Sequence, residues 1–207
     1  SEAEGDKLGE ALADGDSDAD AEAEGDRDAD GDKEADSEAD GDKEKALLIL
    51  RKKSSAIAEK KGDRTLGAGV VDAYIHSNKT VGTLIELSCE TDFVAKNEEF
   101  IAMARDIAMH ATATNPEYID ESEITPEVRA KVIDMFKKEV EESGKPADIQ
   151  AKMMKGKLAT YFGERTLLNQ AFVKNPDITI KQLIDGGVQK FGEKIAVARF
   201  ARFSVAK

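Results

Sequence analysis

The chain has 207 residues, 40% of them hydrophobic, and a formal charge of -13. Its single cysteine, Cys89, excludes an intramolecular disulfide and points to a reducing compartment, and no apolar run approaches the roughly 20 residues that cross a bilayer. The charge is unevenly placed: residues 1–44 hold 20 of the 43 acids and 4 of the 30 bases, so the remaining 163 residues, with 23 acids and 26 bases, are mildly basic. Those residues suffice for one domain with a proper core. The opening residues carry no signal- or transit-peptide pattern, and without an initial Met the chain reads as a processed product or a fragment.

The acidic segment, residues 1–43, is low in complexity. Glu2-Ala3-Glu4-Gly5-Asp6-Lys7, Glu22-Ala23-Glu24-Gly25-Asp26-Arg27 and Glu38-Ala39-Asp40-Gly41-Asp42-Lys43 repeat one theme, and Leu8 and Leu12 are its only large apolar side chains. Such a segment buries too little surface to offset chain entropy, and its like charges repel, which predicts disorder. Asp26-Arg27-Asp28-Ala29-Asp30-Gly31 imitates the opening of a calcium loop. That loop needs an apolar eighth residue and a bidentate Glu at its twelfth, where this chain has Lys33 and Ser37, so only nonspecific cation condensation is expected.

Glu44 to Lys60 reads as a helix whose apolar side, with Leu47, Leu48, Ile49, Leu50 and Ile57, is too crowded to stand in water and must dock. Lys61 to Gly69 reads as a hinge-like linker, and Gly67 and Gly69 make no dinucleotide fingerprint, since no strand precedes them and no helix follows. The domain organisation expected is therefore an acidic segment at 1–43, helix and linker at 44–62, and a core domain at 63–207.

Val70 to His76 alternates, with Val71, Ala73 and Ile75 on one face and Asp72, Tyr74 and His76 on the other. Ser77-Asn78-Lys79 turns the chain, and Thr80 to Ser88 returns with Val81, Thr83, Ile85 and Leu87 on one well-buried face. From Glu98 the spacing becomes helical, gathering Phe100, Met103, Ala104, Ile107 and Ala108 on one stripe. Between strand and helix lies Cys89-Glu90-Thr91-Asp92-Phe93-Val94. Two readings of it stand: a strand-to-helix connection that presents an aromatic and an acid to a partner, or a Phe93 that plugs the core while Asp92 or Thr91 caps the helix.

Asn115-Pro116-Glu117-Tyr118 breaks that helix, leaving His110 near its end, where carbonyl dipoles favour a cation. Thr125 and Pro126 open a further helix with Val128, Val132, Met135, Phe136 and Val140 inward. Ser143-Gly144-Lys145-Pro146 ends it and launches another with Ile149, Met153, Leu158 and Tyr161, where Met153 and Met154 read as core filling. Thr179 caps a last helix with Ile180, Leu183, Ile184 and Val188. Lys194 to Val205 is then a third strand, with Ile195, Val197, Phe203 and Val205 on one face and Phe200 on the other, so both faces of the sheet are expected to be at least partly covered. The fold class is α+β: a three-stranded antiparallel sheet packed with helices, preceded by a helix and a disordered acidic tail.

Glu90-Thr91-Asp92-Phe93-Val94-Ala95-Lys96-Asn97-Glu98-Glu99-Phe100 resembles the signature of the elongation factor Ts family, nucleotide exchange factors of elongation factor Tu. Similar landmarks follow in order: Tyr74-Ile75-His76 with Val81-Gly82, Met109-His110-Ala111 with Asn115-Pro116, Ser143-Gly144-Lys145-Pro146, the extended Leu168 to Lys174, Phe191-Gly192-Glu193-Lys194 and Arg199-Phe200-Ala201-Arg202-Phe203. Lys45 to Lys53 resembles the last helix of that family's small N-terminal three-helix domain, with acidic repeats in place of the two helices before it. The resemblance spans residues 38–205. It implies that Thr91, Asp92, Phe93 and Val94 enter elongation factor Tu, the ring wedging between helices while Asp92 helps to displace the magnesium-coordinating segment. It also implies further contacts from His110, Phe191 and Gly192, a homodimer like the family's short members, and a place in the cytoplasm or an organelle's stroma or matrix.

As an enzyme the sequence is poor: Cys89 has no nearby His-Asp pair, two His and one Cys make no conventional zinc site, and no phosphate loop is present. No metal, cofactor, direct nucleotide, DNA or membrane is expected as a ligand. The competing reading is a noncatalytic module, associated with ribosomes or chaperones, that kept the core and lost exchange activity, its acidic tail mimicking nucleic acid or binding a basic protein.

Overall fold

The computed structural model describes residues 42–205. The disorder expected of the acidic repeats and the imitation of a calcium loop fall on residues 1–41, outside the described part.

Helix α1 (Lys43–Lys60) starts where Asp42 accepts from the amides of Glu44 and Lys45 at 3.0 and 3.3 Å. The sheet consists of β1 (Ala68–Ile75), β2 (Val81–Cys89) and β5 (Ala196–Ser204), antiparallel in the order β1-β2-β5. A four-residue helix α2 (Asp92–Ala95) leads from β2 into the long α3 (Glu98–Thr114). The pair α4 (Pro126–Glu142) and α5 (Ala147–Gly163) follows, then a small hairpin of β3 (Ala171–Phe172) and β4 (Asn175–Thr179), and α6 (Ile180–Phe191), which returns the chain to β5.

The core lies between one face of the sheet and α3 and α6. Ile85 and Leu87 from the central strand meet Phe100, Ile107, Ile180 and Val188, all buried, while Ala68, Val70 and Tyr74 close it from β1. Thr83 is buried on the same face, where its hydroxyl accepts from that of Thr112 at 2.8 Å. Gly69 lets the first two strands close: a Cβ there would stand 2.5 Å from the carbonyl oxygen of Leu87.

Three expectations need correcting. Phe203 and Val205 do not share a face with Ile195 and Val197: the β2–β5 register shifts so that Glu86 faces Arg199 while Leu87 faces Val197, leaving Ala198 as an extra residue. Such a bulge reverses the alternation. Ile195 and Val197 point into the core, Phe200 packs against that same core, and Phe203 and Val205 stand 73% and 76% exposed with Val71, Ile75 and Leu84. Among the described residues, one face of the sheet is therefore left open. Second, Lys61 to Gly69 is pinned rather than hinge-like: Gly67 N donates to Cys89 O at 3.1 Å, the Lys194 amine reaches the carbonyls of Gly62 and Arg64, and Ala68 and Gly69 already belong to β1. Third, Met135 is outward, because α4 packs chiefly on α5 and buries only a narrow stripe through Val132 and Val140, with Val128 and Phe136 half-buried beside them.

Helix α1 docks on α6, but not through the whole apolar side expected of it: Leu47 and Leu48 stand 52% and 53% exposed. Ser55 donates to Asp185 at 2.8 Å, Ser54 is bonded to Gln189, and Ile57 and Ala58 join the core. No described helix is long and apolar enough to cross a membrane.

Candidate functional site

β2 ends at Cys89, whose side chain is sealed inside, and the chain then has to turn from extended to helical backbone within two residues. Thr91 does this with φ -127° and ψ 157°, its hydroxyl accepting from Val94 N at 3.5 Å as the cap of α2. Asp92 is the first residue of that helix rather than its cap. There its charge suits the helix N-terminus, and it pairs at 3.6 Å with Lys96 across open solvent, a contact worth little.

A single helical turn places consecutive side chains about 100° apart, and here that sends two neighbours into opposite surroundings. Val94 is 3% exposed and joins the main core, while Phe93 is 82% exposed. The reading in which Phe93 plugs the core is thereby overturned. An exposed phenyl ring forgoes about 1.5–3 kcal/mol of burial, and it does so on a turn anchored from below. Of the 8 phenylalanines, Phe93 and Phe203 are the two whose rings stand mostly in solvent, at 82% and 73% exposure.

Phe191 and Gly192 lie close beneath the turn. The Phe191 ring meets that of Phe100 edge-on, with centroids 6.1 Å apart at 83°, and is half-buried. Gly192, with φ +70°, ends α6 and accepts at its carbonyl from the Lys61 amine. The structure thus brings Thr91, Asp92, Phe93, Val94 and Gly192 to one end of the molecule.

His110 is elsewhere. It sits twelve residues beyond the start of α3, roughly 18 Å along the helix, and is 0% exposed. Its Nε2 lies 2.9 Å from Gln170 Oε1, and Val173 N donates to its Nδ1 at 3.3 Å. The side chain therefore has no surface with which to touch a partner directly in this fold. The cationic helix-end reading falls as well: burial holds the ring below its ordinary pKa, against an opposing pull from Gln170, so the imidazole is neutral.

Cys89 offers no nucleophile. Burial first, then the charge of Glu193, push its thiol above the ordinary value, and it donates to Thr91 O at 3.3 Å. Among the described residues no group of three His, Cys, Asp or Glu side chains is arranged to hold a metal ion.

Sequence reasoning missed Glu90 and Glu193. Glu193 accepts from the amides of Glu90 and Thr91, both at 3.0 Å, and Glu90 accepts from Lys194 N and from Arg64. Both stand in stretches that carry the family resemblance, Glu90 at the start of one and Glu193 within Phe191-Gly192-Glu193-Lys194, but nothing in sequence pairs them, since they lie 103 residues apart.

A family model described as Elongation factor TS matches residues 55–207. The chain is 46% identical over 163 residues to the elongation factor Ts of Carboxydothermus hydrogenoformans, covering 79% of this chain and 75% of that protein. It is also 46% identical over 163 residues to that of Thermodesulfovibrio yellowstonii, covering 79% and 81%, and 45% identical over 161 residues to that of Desulfotalea psychrophila, covering 78% and 82%.

Proposed function

The chain belongs to the elongation factor Ts family of translation elongation factors, which act in nucleotide exchange, and we propose that it does so by seating Phe93 and Asp92 in elongation factor Tu and releasing GDP. The observation that carries this reading is the opposed placement of Phe93 and Val94, which turns a ring to solvent on a support fixed in the core.

The mechanism is thermodynamic. GDP is held on its GTPase largely through a magnesium ion and the loops that ion orders. A binder with equal affinity for the ordered and displaced loops shifts nothing, so the factor must gain contacts only when they are displaced. In this reading the Phe93 ring supplies such a contact by entering between helices. Asp92, paired only with exposed Lys96 among the described residues, competes for the segment that positions magnesium, with Thr91 and Val94 fixing the geometry. Linkage makes the effect mutual: the factor weakens nucleotide, and nucleotide evicts the factor. No covalent step is needed, and the chain acts by binding rather than as an enzyme. Gly192 and Phe191 belong to the same surface, and His110 acts by holding the end of α3.

The working unit is a homodimer formed through the open sheet face. Val71, Ile75, Leu84, Phe203 and Val205 are exposed there, around a shallow groove of about 540 Å³. A second copy supplies a matching apolar sheet, and two such sheets stack about 10 Å apart. In domain terms, residues 63–207 form the core and residues 44–62 brace it, with the acidic segment 1–43 preceding them in sequence. The compartment is that of the translation machinery, the cytoplasm or an organelle's interior.

The test is release of fluorescent GDP from elongation factor Tu with and without the chain. Stimulated release that Phe93→Ala slows strongly, with the fold intact, supports the reading. No stimulation by the unmodified chain overturns it and favours a noncatalytic binding module.

A further inference from the structure

We propose that Glu193 is a positioning residue for exchange: its carboxylate fixes the angle at which the turn offers Phe93, working through Glu90 and Thr91 without touching the partner. The inference rests on the exchange reading above and adds to it a residue in the turn between α6 and β5.

Helix α2 is four residues long, too short to hold its own orientation, and the cap bond from Thr91 to Val94 N is long at 3.5 Å. What fixes its start is Glu193. Oε2 accepts from Glu90 N and Thr91 N, both at 3.0 Å, while Oε1 accepts from the Thr91 hydroxyl at 2.5 Å. Three donors converge on one anion, and hydrogen bonds to a charged acceptor are the stronger kind. The arrangement is reciprocal: Glu90 Oε1 accepts from Lys194 N at 2.5 Å, and Arg64 Nη1 donates to Oε1 and Oε2 at 3.3 and 3.2 Å. Residues 90–91 and 193–194 thus clasp one another, carboxylate to backbone, in both directions. Gly192, left-handed at φ +70°, turns Glu193 toward the clasp, and buried Ile195 fixes its far side. The turn is held at two points: Val94 in the core, and Thr91, gripped by the clasp at its amide and hydroxyl and more weakly by the Cys89 thiol at its carbonyl; Phe93 lies between them. With the second point gone, the turn can pivot about Val94 and swing the ring.

The experiment measures stimulated GDP release and amide hydrogen exchange for Glu193→Ala and Glu193→Gln, each made alone and in a Phe93→Ala background. Expected for Glu193→Ala are a maximal release rate roughly tenfold lower, as misplacement of a contact group produces, and loss of protection at Glu90 and Thr91 with the α3 amides unchanged. Glu193→Gln recovers most of the rate, since one amide oxygen still meets both backbone donors and its NH2 can donate to the Thr91 hydroxyl. In the Phe93→Ala background the Glu193→Ala effect disappears. A Glu193→Ala chain that releases GDP at the unmodified rate overturns the proposal, as does an effect that persists undiminished without the ring. If Glu193→Ala does not fold, Glu193→Gln in the two backgrounds separates the same outcomes by its smaller loss. An unmodified chain with no stimulation removes the exchange reading and this role with it, whereas stimulation by the unmodified chain with an indifferent Glu193→Ala removes this role alone.

Discussion

His110 Nε2 lies 2.9 Å from Gln170 Oε1 in the interior, and the other ring nitrogen accepts from Val173 N, so the imidazole is held as the tautomer with its proton on Nε2. Protonation would place a second N–H against the Val173 N–H inside the fold.

A prediction about acid follows. Burial lowers the His110 pKa in the folded chain relative to its ordinary 6.5, so the unfolded chain binds a proton first as pH falls. The stabilisation is complete above about pH 6.5 and is lost progressively below it, levelling off only beneath the depressed folded value. Urea unfolding between pH 8 and pH 5 should give a falling midpoint for the native chain and a flatter profile for His110→Gln. Equal slopes for the two would show that His110 does not titrate across unfolding.

Phe93→Ala and Val94→Ala are expected to do opposite things. The first removes an exposed ring and should leave the melting temperature within about 2 °C of native, since surface changes stay within about 0.5 kcal/mol, while costing the exchange reaction roughly 2 kcal/mol or more. The second removes methyls from the core and should cost about 2 kcal/mol of stability, a fall of about 4–8 °C. Calorimetry and a GDP-release assay on both variants separate the roles, and a large loss of stability in Phe93→Ala would return the ring to a structural part.

Much of this fold could be read from alternation and helical spacing. Ile85 and Leu87 on β2, and Phe100, Ile107 and Ala108 on α3, are buried as their periods demand. What escaped were features without a period. A single extra residue at Ala198 resets the phase of β5, and no composition marks it. Asn175-Pro176-Asp177 has the composition of a loop yet forms half of a hairpin, because β3 lies across from it. Phe93 and Val94 stand out in sequence as a pair, but which of the two faces solvent depends on the Thr91 cap, and the Glu193 that holds this cap lies just beyond the end of α6.

The open sheet face leads to a prediction about mass. Because the bulge turns Phe203 to the side carrying Val71, Ile75 and Leu84, a charge there should break an association that a charge on the core-facing side could not reach without unfolding the chain. In sedimentation at micromolar concentration the native chain should run as a dimer, and Phe203→Asp as a folded monomer of 22.4 kDa. A native chain that stays monomeric at that concentration would leave the open face without a second copy.

Two glycines test how closely the elements are packed. At Gly69 a Cβ would lie 2.5 Å from Leu87 O and 2.9 Å from Ser88 Cα, both main-chain atoms of the central strand, which cannot swing aside as a side chain can. Gly69→Ala should therefore push β1 from β2 and cost about 1–3 kcal/mol. Gly156, in the middle of α5, has nothing within 4 Å of the position a Cβ would take and no left-handed backbone, so Ala there gains helix propensity at no steric cost. Gly156→Ala should raise stability by about 0.5–1 kcal/mol. Chemical denaturation of the two variants should move the midpoint in opposite directions, and a neutral Gly69→Ala would mean that the first two strands pair less tightly than their register implies.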